Sequence, residues 1–214
     1  MIKRFDRNAY GVNTYVVWNP HTNTDGRHEA MIVDAGHPPE EVVSFAEKEN
    51  LQVKYIVLTH GHYDHVCYLP QYRALFPSAS VICHEKESAV LGDEEANVSF
   101  LFGDPSVYQD ADVKVKEGDV LTLCGKEDAE MLSFKVLHTP GHTPGCICLY
   151  CASEKLMLTG DTLFDEGCGR TDFKYGNPAE MIRSLRRLYA MDPEITFYSG
   201  HGDSSIIRKV PRLC

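Results

Sequence analysis

The sequence predicts a sheet-containing fold of the α/β or α+β class. Three observations lead there. Eight short apolar runs are rich in β-branched and aromatic residues, and most end in Gly, Asp or His turns, as strands do. Between some of them lie patterns with one apolar face, the mark of helices packed on one side. The composition is that of an ordinary globular chain, 43% apolar and 24% charged over 214 residues. That excludes a disordered or collagen-like polymer. Strands mixed with one-sided helices require helices laid on sheet, although the pattern alone does not choose the topology.

The elements follow in order. Residues 15–18 (YVVW), 30–33 (AMIV) and 53–59 (VKYIVLT) are strand runs. A helix is expected at 40–50. It follows Pro38-Pro39, carries Glu40 and Glu41 in its first turn, and puts Val42, Val43, Phe45 and Ala46 on or near one face. A further helix is expected from about residue 66 to 76, then a strand at 80–83. Residues 85–107 read as a short helix and an irregular loop. Strands return at 132–137, 146–151 and 155–158. The helix at 177–191 opens N-P-A-E, an N-cap followed by proline and an early glutamate. Its residues Met181, Ile182, Leu185, Leu188 and Tyr189 form one stripe. The last strand is 195–198.

No low-complexity segment, long charge run or fixed-period repeat divides the chain, so one domain over 1–214 is expected. A domain of that size buries enough surface to need no disulfide staples. The net charge of −10 argues against nucleic acid and anionic membrane as partners, because phosphate binding needs a basic stripe. No apolar run is long enough to cross a membrane. The opening MIKRFDRNAY lacks the apolar stretch of a signal peptide. A cytoplasmic location is therefore expected, with the 8 Cys as reduced thiols. Cys148 and Cys151 form a lone C-x-x-C inside the β-like run CICLYC. With no second ligand pair nearby, they read as buried strand cysteines.

The chain has 10 His against 1 Trp, and five of the ten fall where strand signals end. The stretch T-H-G-H-Y-D-H-V places His60, His62, Asp64 and His65 within six residues. His60 and His62 leave the end of a buried strand with side chains on the same side. Asp64 and His65 follow where the chain turns into a helix. Two imidazoles aimed at one point, beside a carboxylate–imidazole pair, suit zinc, iron or manganese; a closed structural site would favour thiolates. Three further strand ends each present one ligand-capable residue. They are His142 in T-P-G-H-T-P-G, Asp161 in T-G-D-T-L and His201 in S-G-H-G-D. Singly, each is an ordinary turn residue; together they could meet at one sheet edge.

This pattern resembles the metallo-β-lactamase superfamily over nearly the whole chain, from Asn13-Thr14-Tyr15 and Val33-Asp34-Ala35-Gly36 to His201-Gly202. Through T-P-G-H-T-P-G-C and T-G-D-T-L-F it looks most like the glyoxalase II group. The resemblance implies an αββα four-layer sandwich. It implies two divalent metal ions, zinc first and iron or manganese as alternatives. His60, His62 and His142 would hold one; Asp64, His65 and His201 would hold the other. Asp161 would bridge them, with a water or hydroxide between. Such ligands leave open positions, where a bound water becomes hydroxide near neutral pH. The implied activity is hydrolysis of a small-molecule thioester or other acyl substrate by a metal-bridging hydroxide. Asp64 would help orient that nucleophile as the catalytic residue, and no separate Ser or Cys nucleophile is needed.

Arg170, in G-C-G-R-T-D-F, has two readings. It anchors a substrate carboxylate through its guanidinium, or it pairs with Asp172 or Asp165. Cys67 and Cys168 have no context that would lower a thiol pKa and read as structural, as do His37, His84 and His138. Two departures from the family stand out. Val66-Cys67-Tyr68 replaces a pair of glycines found in many relatives, so helix packing or the width of the site should differ. Only 13 residues follow His201. A C-terminal helical domain with basic residues for glutathione is thus not expected. The rival within the superfamily is a persulfide dioxygenase, with one iron on His60, His142 and Asp161 and with Arg170 contacting glutathione. The loop G-C-G-R-T-D-F resembles that group; S-G-H-G-D and the second-metal ligands resemble the hydrolases.

Overall fold

The eight strand runs form the eight interior strands of two six-stranded sheets. The computed structural model describes residues 1–6, 8–127 and 130–212. In the first sheet the order is sequential: β1 (Ile2–Phe5), β2 (Thr14–Trp18), β3 (His28–Val33), β4 (Leu51–Val57), β5 (Ser80–His84) and β6 (Val113–Val115). In the second, β7 (Val120–Leu123), β8 (Leu132–His138), β9 (Ile147–Cys151), β10 (Leu156–Gly160), β11 (Thr196–Ser199) and β12 (Ser205–Ile206) are also adjacent in chain order. Strands β3 to β6 run parallel, as do β10 and β11. The other pairs are antiparallel.

Strand periodicity sorts the side chains into three cores. On β2, Tyr15 and Val17 point to the space between the sheets, while Val16 and Trp18 point outward. On β3, Met31 and Val33 face in, while Ala30 and Ile32 face out. Phe134, Val136, Ile147 and Leu149 of the second sheet meet the inward set. The outward face of the first sheet is covered by α1 (Pro39–Lys48) and α3 (Leu69–Leu75), through Val42, Ala46, Leu69 and Tyr72. That of the second sheet is covered by α5 (Pro178–Tyr189), through Met181, Leu185 and Leu188. Successive residues of a strand face opposite sides, so runs such as YVVW are apolar throughout because both sides are covered. The architecture is the expected αββα sandwich.

The Asn177 side chain caps α5, accepting from the backbone N–H groups of Ala179 and Glu180. Ile182 lies at the edge of the predicted stripe and is exposed. The helix expected at 66–76 is α3, which starts only at Leu69; the single turn α2 (Tyr63–Val66) precedes it, and Cys67-Tyr68 separate the two. There the Tyr68 backbone N–H bonds to the Ala35 carbonyl at 3.0 Å. Residues 85–107 hold α4 (Ser88–Leu91) and two short 3-10 turns. No helix among the described residues is long and apolar enough to cross a membrane.

Candidate metal centre

The sheets place four strand ends together. The chain leaves β4 through Leu58 and Thr59 to reach His60 and His62, and α2 then carries Asp64 and His65 in its single turn. Strand β8 leads to His142, β10 to Asp161 and β11 to His201. All seven residues singled out in the sequence converge. Their ligand atoms fall into three overlapping groups, each with atoms within 4.8 Å of one another: His60, His62, His142; His60, His65, Asp161; and Asp64, His65, His201.

The hydrogen bonds around the imidazoles select which nitrogen faces the centre. His65 Nδ1 is 2.8 Å from Asp34 Oδ2, His142 Nδ1 2.7 Å from the Arg170 carbonyl and His201 Nδ1 3.0 Å from the Gly11 carbonyl. Each Nδ1–H donates outward, so each Nε2 lone pair points in, the arrangement found around metal-binding histidines. Asp34 also accepts from the backbone N–H and hydroxyl of Thr59, pinning the turn that launches His60. The inner atoms are crowded. His62 Nδ1 lies 2.8 Å from His142 Nε2, His65 Nε2 3.3 Å from Asp161 Oδ1, and His201 Nε2 3.0 Å from Asp64 Oδ2. His60 Nε2 and Asp161 Oδ1, which belong to one of these groups, are buried with no hydrogen-bond partner. Buried polar atoms are rarely left unpaired. A set of orphaned nitrogen and oxygen donors facing one another fits divalent cations.

The electrostatics agree. Burial, reinforced by neighbouring imidazoles, pushes His60 and His62 well below the usual histidine range. Burial lowers His142 as well. Burial also opposes charge on His65, but Asp161, Asp64 and Asp34 together outweigh it and hold its pKa well above the usual value. At Asp161 burial is overcome by His65 and other imidazoles, which hold the carboxylate charged. The cluster thus keeps its acids ionised and three of its imidazoles neutral, as metal binding requires, while the carboxylates favour protons on His65 and His201 that an ion would have to displace.

Arg170 lies at the cleft beside these ligands, in the second of its two readings. Its Nε and Nη2 each donate to Asp172 at 2.6 Å, and its guanidinium sits 4.2 Å from the Phe173 ring centre. This pairing draws the Asp172 carboxyl down to about 2. Cys148 and Cys151 are buried in β9. The seven described cysteines are free thiols; Cys214 lies outside the described residues. Burial raises Cys67 and Cys83 to about 12. Val66 packs in the outer core of the first sheet, and none of residues 66–68 lines the cleft.

Sequence reasoning missed Glu87. It is fully buried and accepts from the Gly61 N–H at 2.7 Å and from the Thr143 hydroxyl and Gly145 N–H, each at 2.6 Å. Burial raises it to about 7 against those three donors. Its fragment, H-E-K-E-S, carries no signal of this role. The role of Asp34 was also missed; its position in V-D-A-G at the end of a strand was a visible cue.

Residues 7–201 match the family model of the metallo-beta-lactamase superfamily, and the chain belongs to that superfamily. It is 32% identical over 209 residues to the hydroxyacylglutathione hydrolase GloC of Haemophilus influenzae, covering 95% of this chain and 92% of that one. Among solved structures it is similar to the BLEG-1 B3 metallo-beta-lactamase, with a TM-score of 0.84 and 31% identity over 98% of this chain and 95% of that one. It is also similar to TTHA1623 in a di-iron-bound form, with a TM-score of 0.78 and 25% identity over 97% of this chain and 96% of that one.

Proposed function

We propose that this protein is a binuclear metallohydrolase acting on a small-molecule acyl substrate, a thioester before others. The observation that carries this reading is the complete donor set, seven side chains in overlapping groups with orphaned inner atoms. His60, His62 and His142 would hold one ion; Asp64, His65 and His201 the other; Asp161 would reach both. The di-iron form of TTHA1623 and the hydrolase name of GloC support it. Two ions there, zinc first, would supply Lewis acidity to a carbonyl oxygen and a water made acidic enough to ionise near neutral pH.

The chain's own residues do the rest. Asp34, Arg170 and Gly11 fix the imidazole orientations through Nδ1. Asp64, which lines the cleft, orients the attacking water and holds its proton at the carboxylate. Substrate lying against the apolar side of the cleft would displace water there, which would strengthen the charge interactions within.

Metal analysis of protein purified without added metal, paired with thioester and persulfide assays, tests the reading. About two ions per chain and thioester hydrolysis are expected. His142→Ala should abolish hydrolysis and leave the circular dichroism of the fold intact. One iron per chain with oxygen uptake on glutathione persulfide would overturn it in favour of a dioxygenase.

A further inference from the structure

A cleft of about 410 Å³ is lined by five of the seven metal-ligand candidates together with the apolar Val98, Leu101, Phe102, Phe164 and Phe173. Three observations bear on what fits in it.

The apolar wall is a built feature. Phe102 stacks on Tyr63 with ring centres 5.0 Å apart and meets Tyr10 edge-on at 5.2 Å. Tyr63 in turn donates from its hydroxyl to Asp104 and from its backbone N–H to the Asn97 carbonyl. Asn97 bonds across to the Ser106 carbonyl, closing the loop on itself. Val98 sits in the left-handed region at φ 60°, which is costly for a β-branched residue and persists only where the surroundings enforce it. That turn sends Ser99–Phe102 to the rim of the cleft.

The wall is also open to solvent at the rim. Leu101 is 55% exposed and Phe102 44% exposed. Large apolar side chains clustered beside a cleft mark a surface that gains by being covered.

Finally, the rim's cations are already matched. Arg170 is held bidentately by Asp172. Lys174, further along the same loop, bonds Asp93 at 2.7 Å and Glu95 at 2.9 Å. A substrate carboxylate would compete with an acid already bonded to each of them.

We propose that the cleft selects acyl thioesters whose acyl chain is apolar and uncharged, an alkyl or aryl group lying against Val98, Phe102 and Phe173, over acidic or glutathione-borne acyl groups. The inference rests on the hydrolase reading above. Specificity then resides in Phe102 and Phe173, with Asp172 suppressing recognition of anions by occupying Arg170.

The test uses metal-loaded protein and thioesters of one neutral thiol, N-acetylcysteamine, with acyl chains from acetyl to hexanoyl, together with the succinyl thioester and S-lactoylglutathione. Burial of each methylene should raise kcat/KM about threefold to fourfold over the first few carbons. The hexanoyl ester should then exceed both the succinyl ester and S-lactoylglutathione. Phe102→Ala and Phe173→Ala should flatten the dependence on chain length. Asp172→Asn should raise the succinyl-to-butyryl ratio of kcat/KM about tenfold. Calorimetric binding of the matching non-hydrolysable alkyl thioethers to chelator-treated protein gives a second readout and should show the same chain-length trend. A flat series, or a preference for the succinyl ester or S-lactoylglutathione, overturns the inference and leaves the hydrolase reading intact. Thioethers bound with the expected trend while no thioester is cleaved would overturn the hydrolase reading and support the apolar selection.

Discussion

Glu87 hydrogen-bonds to the loops rather than to the ligands, and it joins the two loops that carry three of them. Its carboxylate takes the N–H of Gly61, between His60 and His62, and the Thr143 hydroxyl and Gly145 N–H just beyond His142. Both glycines make room for it. A Cβ on Gly145 would sit 2.7 Å from Glu87 Oε1, and one on Gly61 3.1 Å from Oε2. Glu87→Ala strips three buried donors of their acceptor, each at a cost of about 1–3 kcal/mol, and releases the loops from each other. Metal affinity, read by chelator competition, should fall about 10- to 100-fold. Glu87→Gln keeps the volume and one acceptor oxygen and should recover much of that loss. Unchanged affinity in the alanine variant would show that Glu87 only fills space. The ligands themselves were legible because imidazoles and carboxylates at strand ends are conspicuous in one dimension. Glu87 was not, because its meaning comes from donors 26 and 58 residues away.

The elements divide the same way. The strand runs found in the sequence are the interior strands, β2 to β5 and β8 to β11. The strands missed, β1, β6, β7 and β12, are the four sheet edges. An interior strand here is covered on both faces and reads as a continuous apolar run. An edge such as IKRF or VKV keeps exposed, charged positions, which also guards it against pairing with other chains. The late start of α3 was legible in part, because Pro70 has no N–H to give within a helix and fits only its first turn; the Ala35 carbonyl that takes the Tyr68 N–H comes from another part of the chain. Across the sandwich, the ends of β5 and β8 meet as stacked His84 and His138, with ring centres 4.0 Å apart and planes 8° apart. Burial and then the His138 imidazole lower His84 to about 4. Lys86, Glu117 and Asp119 are the charged groups that also act on it. The folded state therefore favours neutral His84. Its contribution is complete above about pH 6.5, the unfolded value, and is lost as pH falls towards about 4. Allowing for solvent screening, that loss is about 2 kcal/mol. His84→Phe keeps the stack and removes the titration. Its chemical-denaturation stability should fall less than that of the natural chain across this window, and parallel profiles would refute the assignment.

At the scale of the whole molecule, the ligand set straddles the two sheets. His60, His62, Asp64 and His65 follow strands of the first sheet; His142, Asp161 and His201 follow strands of the second. Protein contacts already tie the halves at this edge. The Asn13 amide and the Tyr15 hydroxyl both donate to the Ser199 carbonyl, and the Ile147 N–H donates to the Thr59 carbonyl. Ions held by donors from both halves would act as a further clamp. A ligand that binds only the folded state stabilises it by about 4 kcal/mol at a thousandfold excess over Kd. For a chain of this size that corresponds to a rise in Tm of about 8–16 °C. Removing metal with a chelator should therefore lower Tm by that order and restoring zinc should reverse it. His142→Ala, which takes a donor from the second half, should shrink the reversible part. Hydrogen exchange locates the effect. Amides at 59–65, 139–145, 160–170 and 199–202 should lose protection on chelation, while those of β3 and β9 in the inter-sheet core should keep theirs until global unfolding. A Tm unmoved by chelation, with protection unchanged in all four loops, would mean that the sandwich is held by its cores alone and that no ion spans its halves.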